Sequence, residues 1–360
     1  MNANRRITST LFAAIGFAIV PLASAAAGFV DVLDTPAQMS PLAARSLMQA
    51  VTRVDGRLVA VGQRGHILLS SDAGASWKQV RVPVSSDLTA VYFVDIHHGW
   101  AVGHDGVVLS TEDGGDSWRV QLDGRRANDL LVEATQRNAA ADPASEPAKK
   151  LLAEAQRYKE QGPDKPFLDV WFADARNGFV VGAYNLVFRT RDGGNTWESW
   201  FDRTDNPKFF NLYAIRRVGS DIYAAGESGL LLKLDAATDR FKALDTGYTG
   251  SFFGLAEAKG GAVLAYGLRG SGFRSDDAGR TWSKVDAALP ASIVASTRTM
   301  DDLTLLADAG GRVVASNDGG RSFHAVPLKQ SMPLTGFTEV ADGRFVITGP
   351  RGIAVSAAAQ

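Results

Sequence analysis

One motif returns along the chain at nearly constant spacing: a hydroxyl residue, an aspartate two positions later, a glycine, then Ser or Thr followed by an aromatic residue. Ser70, Asp72, Gly74, Ser76 and Trp77 form its first copy, and Asp113 with Trp118, Asp192 with Trp197 and Asp277 with Trp282 mark full copies. Asp318 with Phe323 closes the series, and a decayed copy at Asp235 has Phe241 one position late. The aspartates lie 41, 79, 43, 42 and 41 residues apart. A second marker keeps the same beat, because Gly62, Gly103, Gly182, Gly226, Gly267, Asp308 and Gly349 each close a short apolar run. The interval of 79 is one repeat plus about 38 inserted residues. A fixed period near 42 residues constrains a fold more than any local propensity does.

Each unit reads as four short strands. In the second, Thr89–Phe93 alternates, Trp100–Gly103 is apolar, Val107–Ser110 follows a Gly-containing turn, and Trp118–Leu122 closes. The aspartate and the hydroxyl before it suit a turn, since both bond nearby backbone groups and the glycine accepts positive φ. Asp72, Asp113, Asp192, Asp277 and Asp318, with Trp77, Trp118, Trp197 and Trp282, are therefore structural residues. Four-stranded units of this length predict an all-β, seven-bladed β-propeller. The last unit runs out of residues after three strands, near Leu334–Val340, Arg344–Thr348 and Gly352–Ser356. Phe29–Leu33 is the expected fourth strand, closing the ring from the N-terminus and removing an open edge.

The insertion, about 124–165, falls between blades two and three. Asn128–Asn138 and Pro147–Gln161 are rich in Ala, Leu, Glu, Lys and Arg, and Gly162-Pro163 ends the second run, which predicts a helical hairpin. Leu130, Leu131, Val132, Leu151, Leu152 and Ala155 supply its apolar stripes.

Composition narrows the chemistry. Lys and Arg number 38 against 39 Asp and Glu, so no cationic surplus exists to replace phosphate counterions, and a nucleic-acid partner is excluded. With no cysteine there is no disulfide, thiolate metal site or Cys nucleophile. At the N-terminus, Arg5 and Arg6 precede an uncharged apolar run, Leu11–Val20, and Ala23-Ser24-Ala25 offers a cleavage site. Residues 1–25 are read as a signal peptide and 26–360 as a single propeller domain, periplasmic or secreted. The flanks of the arginine pair suit the general secretory route better than twin-arginine export. A run of ten to fourteen residues is too short to span a bilayer, so no membrane insertion is expected after cleavage.

With these repeats the chain resembles the Asp-box, or BNR-repeat, proteins, and more closely the propeller family of photosystem II assembly and stability factors. Phe167–Phe172 followed by Gly178–Gly182 shows the shared unit entering blade three. The resemblance implies a non-enzymatic scaffold, adaptor or assembly factor. Among relatives in non-photosynthetic bacteria it implies a partner in the envelope, an assembly such as an RND-type transporter. Propeller geometry gathers the turns between strands two and three on one face with the links between blades. That face carries Arg64, His104 with Asp105, Tyr184, Glu227, Arg269 and Arg351, and the insertion adds Arg125 and Arg126. Arginine gains most from bidentate pairing, so these residues are the candidate partner-binding set. Arg216 and Arg217 join them unless they occupy the other end of their strand.

The rival class is a sialidase-like or other glycoside hydrolase, since Asp-boxes occur there too. Such a site needs convergent arginines, a Tyr/Glu pair and an acidic Asp; Tyr92, Tyr213, Tyr223 and Tyr266 are available, but no matching signature accompanies them. His97-His98 beside Asp95 reads as a solvated turn, so no metal, cofactor or catalytic residue is expected.

Overall fold

The computed structural model describes residues 30–341 and 343–359. Six antiparallel four-stranded sheets and one three-stranded sheet follow one another along the chain. Their inner strands are Met48–Val54, Leu88–Phe93, Phe167–Phe172, Leu212–Val218, Phe252–Ala258, Ile293–Arg298 and Gly336–Ala341. Each inner strand packs on the next, and Gly336–Ala341 packs back on Met48–Val54, so the seven sheets close a ring.

The core lies between the blades. One buried cluster joins Val59, Val61 and Leu69 of blade one to Ala101, Leu109 and Trp118 of blade two. Another joins Trp171, Phe179 and Trp200 of blade three to Ile215, Ala224 and Phe241 of blade four. Strand residues that alternate around a sheet bury both faces here, because every blade has a neighbour on each side.

The repeated turn forms the same carboxylate and hydroxyl network in five blades, and the indole bond beside it forms in blades one, two and five but not at Trp197 or Phe323. In blade two, Thr111 Oγ1 donates to Asp113 Oδ1 at 2.7 Å and accepts from Gly115 N–H at 2.9 Å. Ser117 donates its N–H to Oδ1 at 3.0 Å and its hydroxyl to Oδ2 at 2.5 Å, and Trp118 Nε1 donates to the Gly115 carbonyl at 3.0 Å. Asp72, Asp192, Asp277 and Asp318 repeat the carboxylate contacts. At Asp235 the turn is different: Thr238 and Ala237 are its donors. Hydrogen bonds from Ser76 and Ser70 hold Asp72 down to about 2, and Asp277 and Asp318 are lowered for the same reason. Such a group stabilises the fold above the ordinary carboxylate pKa, and that contribution is lost as pH falls toward the folded value. We therefore expect loss of tryptophan fluorescence between about pH 4 and pH 2. Thr281→Val, which removes a donor to Asp277, should move that acid midpoint upward.

Two helices lie in the chain between the last strand of blade two, Arg119–Leu122, and the first of blade three: α1, Gly124–Ala141, and α2, Glu146–Gln161. The first begins four residues before the predicted run, because the Asp123 carboxylate accepts from Arg126 N–H at 3.0 Å and caps it. Ser145 caps the second, and Gly162, at φ 89°, ends it. Leu131, Val132, Ala155 and Tyr158 are buried with Trp197 and Phe201 of blade three.

The last blade departs from expectation. Phe29 lies outside the described residues, and Asp31–Leu33 is not a strand. The Asp31 side chain accepts from Leu33 N–H at 2.9 Å and its carbonyl accepts from the Thr35 hydroxyl at 2.8 Å, folding this stretch into a turn. It then follows the link out of blade one, where Ser85 N–H bonds the Val32 carbonyl and Ala37 N–H bonds the Val82 carbonyl. The seventh sheet keeps three strands, and Leu328 of the preceding link makes a single antiparallel bridge to Ala358. Closure comes from elsewhere. Gly352, at φ 93°, lies so close to the Ala44 carbonyl that a Cβ would sit 2.2 Å from it. The turn glycine of blade one meets the Val84 carbonyl of its outgoing link in the same way. Residues 43–47 thus take the place that a link between blades takes elsewhere, and the Thr335 hydroxyl donates to the Met48 carbonyl at 2.7 Å.

Candidate functional site

The turns between second and third strands are short and nearly identical. Arg64, Asp105, Tyr184, Ser228 and Arg269 occupy their left-handed position, with φ between 54° and 57°. Four of the five donate their backbone N–H to a side chain of the outgoing link: Arg64 to the Asp87 carboxylate at 2.7 Å, Tyr184 to Asn211 at 2.9 Å, Arg269 to Ser292 at 3.2 Å and Ser228 to Ser251 at 3.4 Å. With the backbone fixed this way, the side chains stand out from the face, and Arg64, His104, Tyr184, Arg269 and Arg351 are exposed. Glu227 is half-buried and accepts from Asn211 N–H at 3.3 Å. His104 and Glu227 precede the left-handed position by one residue, so the structural equivalents of Arg64 in their blades are Asp105 and Ser228.

The arginines divide into two groups. Arg125 makes a bidentate pair with Asp34, at 3.0 and 2.7 Å, and Arg126 pairs with Glu133 at 2.8 Å. Both are engaged within the chain, and the first fixes the N-terminal stretch to α1. Arg64, Arg269 and Arg351 have no ion pair among the described residues. Tyr184 is 49% exposed, with its ring 5.9 Å from that of Tyr158 on α2. The helices therefore begin at this face and lie beside the turn of blade three, while Asn138 and Lys150 reach Asp202 and the Pro207 carbonyl.

The central channel holds a second set of residues, which sequence reasoning did not assemble. A cavity of about 490 Å³ is lined by Tyr92, Asp169, Tyr213, Arg216, Tyr266 and Ser296, among others. Arg216 is here and not among the face turns: its guanidinium meets the buried Asp169 carboxylate at 2.5 Å. Asp169 also accepts the N–H of Ile215 at 2.8 Å, tying blade three to blade four. Tyr266 donates to Ser296 at 2.9 Å, and burial pushes its hydroxyl pKa up. The other channel arginines are engaged as well, Arg298 with Asp302 and Arg53 with the Val340 carbonyl. An arginine beside an aspartate on the neighbouring inner strand was the available signal, but only blade register places the two together. His98 Nδ1 contacts Asp95 at 2.9 Å, and no group of three His, Asp or Glu among the described residues is placed to hold a metal ion. Among the described residues no helix is long and apolar enough to cross a membrane.

A family profile described as "Photosynthesis system II assembly factor YCF48" matches residues 69–136 and 154–301, more than half of the chain. The chain belongs to the YCF48 family. The photosystem II assembly protein Ycf48 of Synechococcus sp. (strain JA-3-3Ab) is 25% identical over 307 residues, 77% of this chain and 86% of its own. The photosystem II assembly lipoprotein Ycf48 of Synechococcus sp. (strain CC9902) is 32% identical over 126 residues, and the match spans 34% of this chain and only 38% of that protein. Among solved structures, YCF48 bound to D1 peptide superposes with a TM-score of 0.61 at 14% identity, covering 88% of this chain and 94% of its own. YCF48 from Cyanidioschyzon merolae gives 0.62 at 16% identity, covering 90% and 98%. These YCF48 structures share the fold, and the sequence match carries the family.

Proposed function

We propose that this chain is a non-enzymatic scaffold or assembly factor that holds a subunit of an envelope protein complex. Family membership carries the reading: its YCF48 relatives are photosystem II assembly proteins, and one solved relative is YCF48 bound to D1 peptide. An RND-type membrane transporter is our finer assignment of the partner, and the periplasm or exterior our assignment of its place. Arg125 and Arg126, engaged in the chain, shape the proposed surface; Arg64, Arg269 and Arg351, with His104, Tyr184 and Glu227, supply its contacts. Exposed guanidinium groups with no internal carboxylate pair readily with acidic residues of a partner.

The test is crosslinked recovery of envelope proteins by the tagged, exported protein and by Arg64→Glu/Arg269→Glu/Arg351→Glu. We expect one complex enriched by the wild type and recovered at least about tenfold less by the triple variant. The three side chains are exposed, so melting should be unchanged. Deletion of 127–162 is the poorer probe, because it strips Leu131 and Tyr158 from the cluster with Trp197. Equal recovery by the triple variant would move the binding surface elsewhere. Sialic acid or oligosaccharide released from glycans would replace the scaffold with a hydrolase.

A further inference from the structure

In the complete sheets the third strand is covered by a fourth. The carbonyls of Ile67, Val187, Leu231 and Val313 accept from Val80, Trp200, Leu244 and Val326 at 2.8–3.0 Å. Ile353 holds the corresponding place in the seventh sheet, paired with Thr348 as Ile67 is with Val61. No backbone bond from a further strand reaches Ile353 or Val355 among the described residues. Alternation settles where their polar groups point. Ala358 N–H bonds the Gly343 carbonyl on the inner side, whereas the Ala357 carbonyl and Ala359 N–H bond Lys329 and Pro327 on the outer side. Residues 353 and 355 share the outward parity of 357 and 359. The strand is Gly-Ile-Ala-Val-Ser-Ala, without charge or proline, so nothing blunts its edge.

This lane, vacant among the described residues, is closed at both ends. Ala43–Arg45 packs over its start, where a Cβ on Gly352 would lie 2.7 Å from the Arg45 Cα, and Pro327–Lys329 fills its end. About four residues fit between, opposite Ile353–Ser356, roughly 13 Å of extended chain, and Gln330 N–H reaches the Ser356 hydroxyl at the far end. Ile353, Val355 and the partly buried Trp77 form one wall. The exposed Arg45 and Arg351 stand at the first end and the exposed Lys329 at the other, none in an ion pair among the described residues. A second copy fits poorly. Edge-to-edge pairing about a two-fold axis would set the arginines of each copy against Lys329 of the other, and the lane is too short for a full strand.

We propose that the outer edge of the seventh blade, Gly352–Ser356, binds a short, extended, acidic segment of a partner protein as its missing fourth strand. The segment runs antiparallel to the edge, as the fourth strand does in the other blades. Its C-terminal end thereby meets Arg45 and Arg351. Main-chain bonds to Ile353 and Val355 supply affinity, and the two arginines select acidic residues. This surface lies on the rim and shares Arg351 with the turn face; Val355→Pro touches the rim alone and Arg64→Glu/Arg269→Glu the turn face alone, so the two readings fail separately.

Two measurements test it on the exported protein. By hydrogen exchange, the Ile353 and Val355 amides of the free protein should exchange far faster than that of Ala354; if they are equally protected, the lane is already filled and the proposal is overturned. Fluorescence anisotropy then compares a labelled peptide Thr-Val-Thr-Val-Glu-Asp, its counterpart ending Lys-Lys, and the acidic peptide N-methylated at its valines. The acidic peptide should bind at least about tenfold more tightly than either control. Val355→Pro removes only an outward N–H, which an edge strand tolerates, and should abolish binding while far-UV circular dichroism is unchanged. Arg45→Glu/Arg351→Glu should reverse the preference toward the basic peptide. No binding, or equal binding by Val355→Pro, overturns the proposal, as does self-association that Val355→Pro abolishes.

Discussion

Phe172→Ala is expected to lower the free energy of unfolding by about 4 kcal/mol, measured by guanidinium melts followed through tryptophan fluorescence. The ring is 1% exposed on the inner strand of blade three. It stacks on Trp100 of blade two, with centroids 3.5 Å apart and planes 7° from parallel, and meets Trp197 edge-on at 6.2 Å. Loss of so large a side chain removes transfer energy and leaves a void, while both indoles lose an aromatic neighbour. The cluster around it also contains Leu131, Ala155 and Tyr158 of the helices, so the void opens where blades two and three meet α1 and α2. Phe172→Leu, which refills part of the space, should recover roughly half of the loss. A cost below about 1 kcal/mol for Phe172→Ala would mean that the two blades meet less tightly than these contacts require.

The second large effect belongs to the channel. Asp169→Ala should destabilise the protein by about 3 kcal/mol, because a buried carboxylate is taken from two donors at once. The variant leaves the Ile215 N–H without its acceptor and Arg216 without its carboxylate, at the junction of blades three and four. Asp169→Asn keeps an acceptor for Ile215 but no charge for Arg216, and should lie between alanine and wild type. Arg216 remains half-exposed to the channel, so the coupling should weaken in high salt more than a fully buried pair would. Equal stability of all three proteins in urea would show that water in the channel replaces the carboxylate without cost.

The candidate surface was legible in the sequence only as turn positions. Spacing alone set Arg64, Tyr184 and Arg269 in equivalent turns, since each lies two residues after a glycine that ends an apolar run. The same count put His104 and Glu227 one residue off the left-handed position, because Asp105 and Ser228 hold it. Which arginines are free was not legible: Arg125 meets Asp34 across 91 residues of sequence, and no local pattern marks that pair. Nor was the place of Arg216, whose partner Asp169 lies one blade away.

By itself the sequence determined the repeat, and with it the strands, the turns and the number of blades. Those depend on interactions within a few residues: a hydroxyl, a carboxylate and a glycine that close a turn, and alternating apolar residues that recur every 41 to 44 positions. Tertiary structure decided how the ring closes and which groups remain open. The stretch expected to become the last strand carries Asp31, whose carboxylate bonds Leu33 and bends the chain toward blade one. Among the described residues the edge at Ile353 and Val355 stays open because of that bend, and the Asp169–Arg216 pair follows from the register of neighbouring blades. Both are long-range outcomes, set by which segments the closed ring brings together and not by any preference written along the chain.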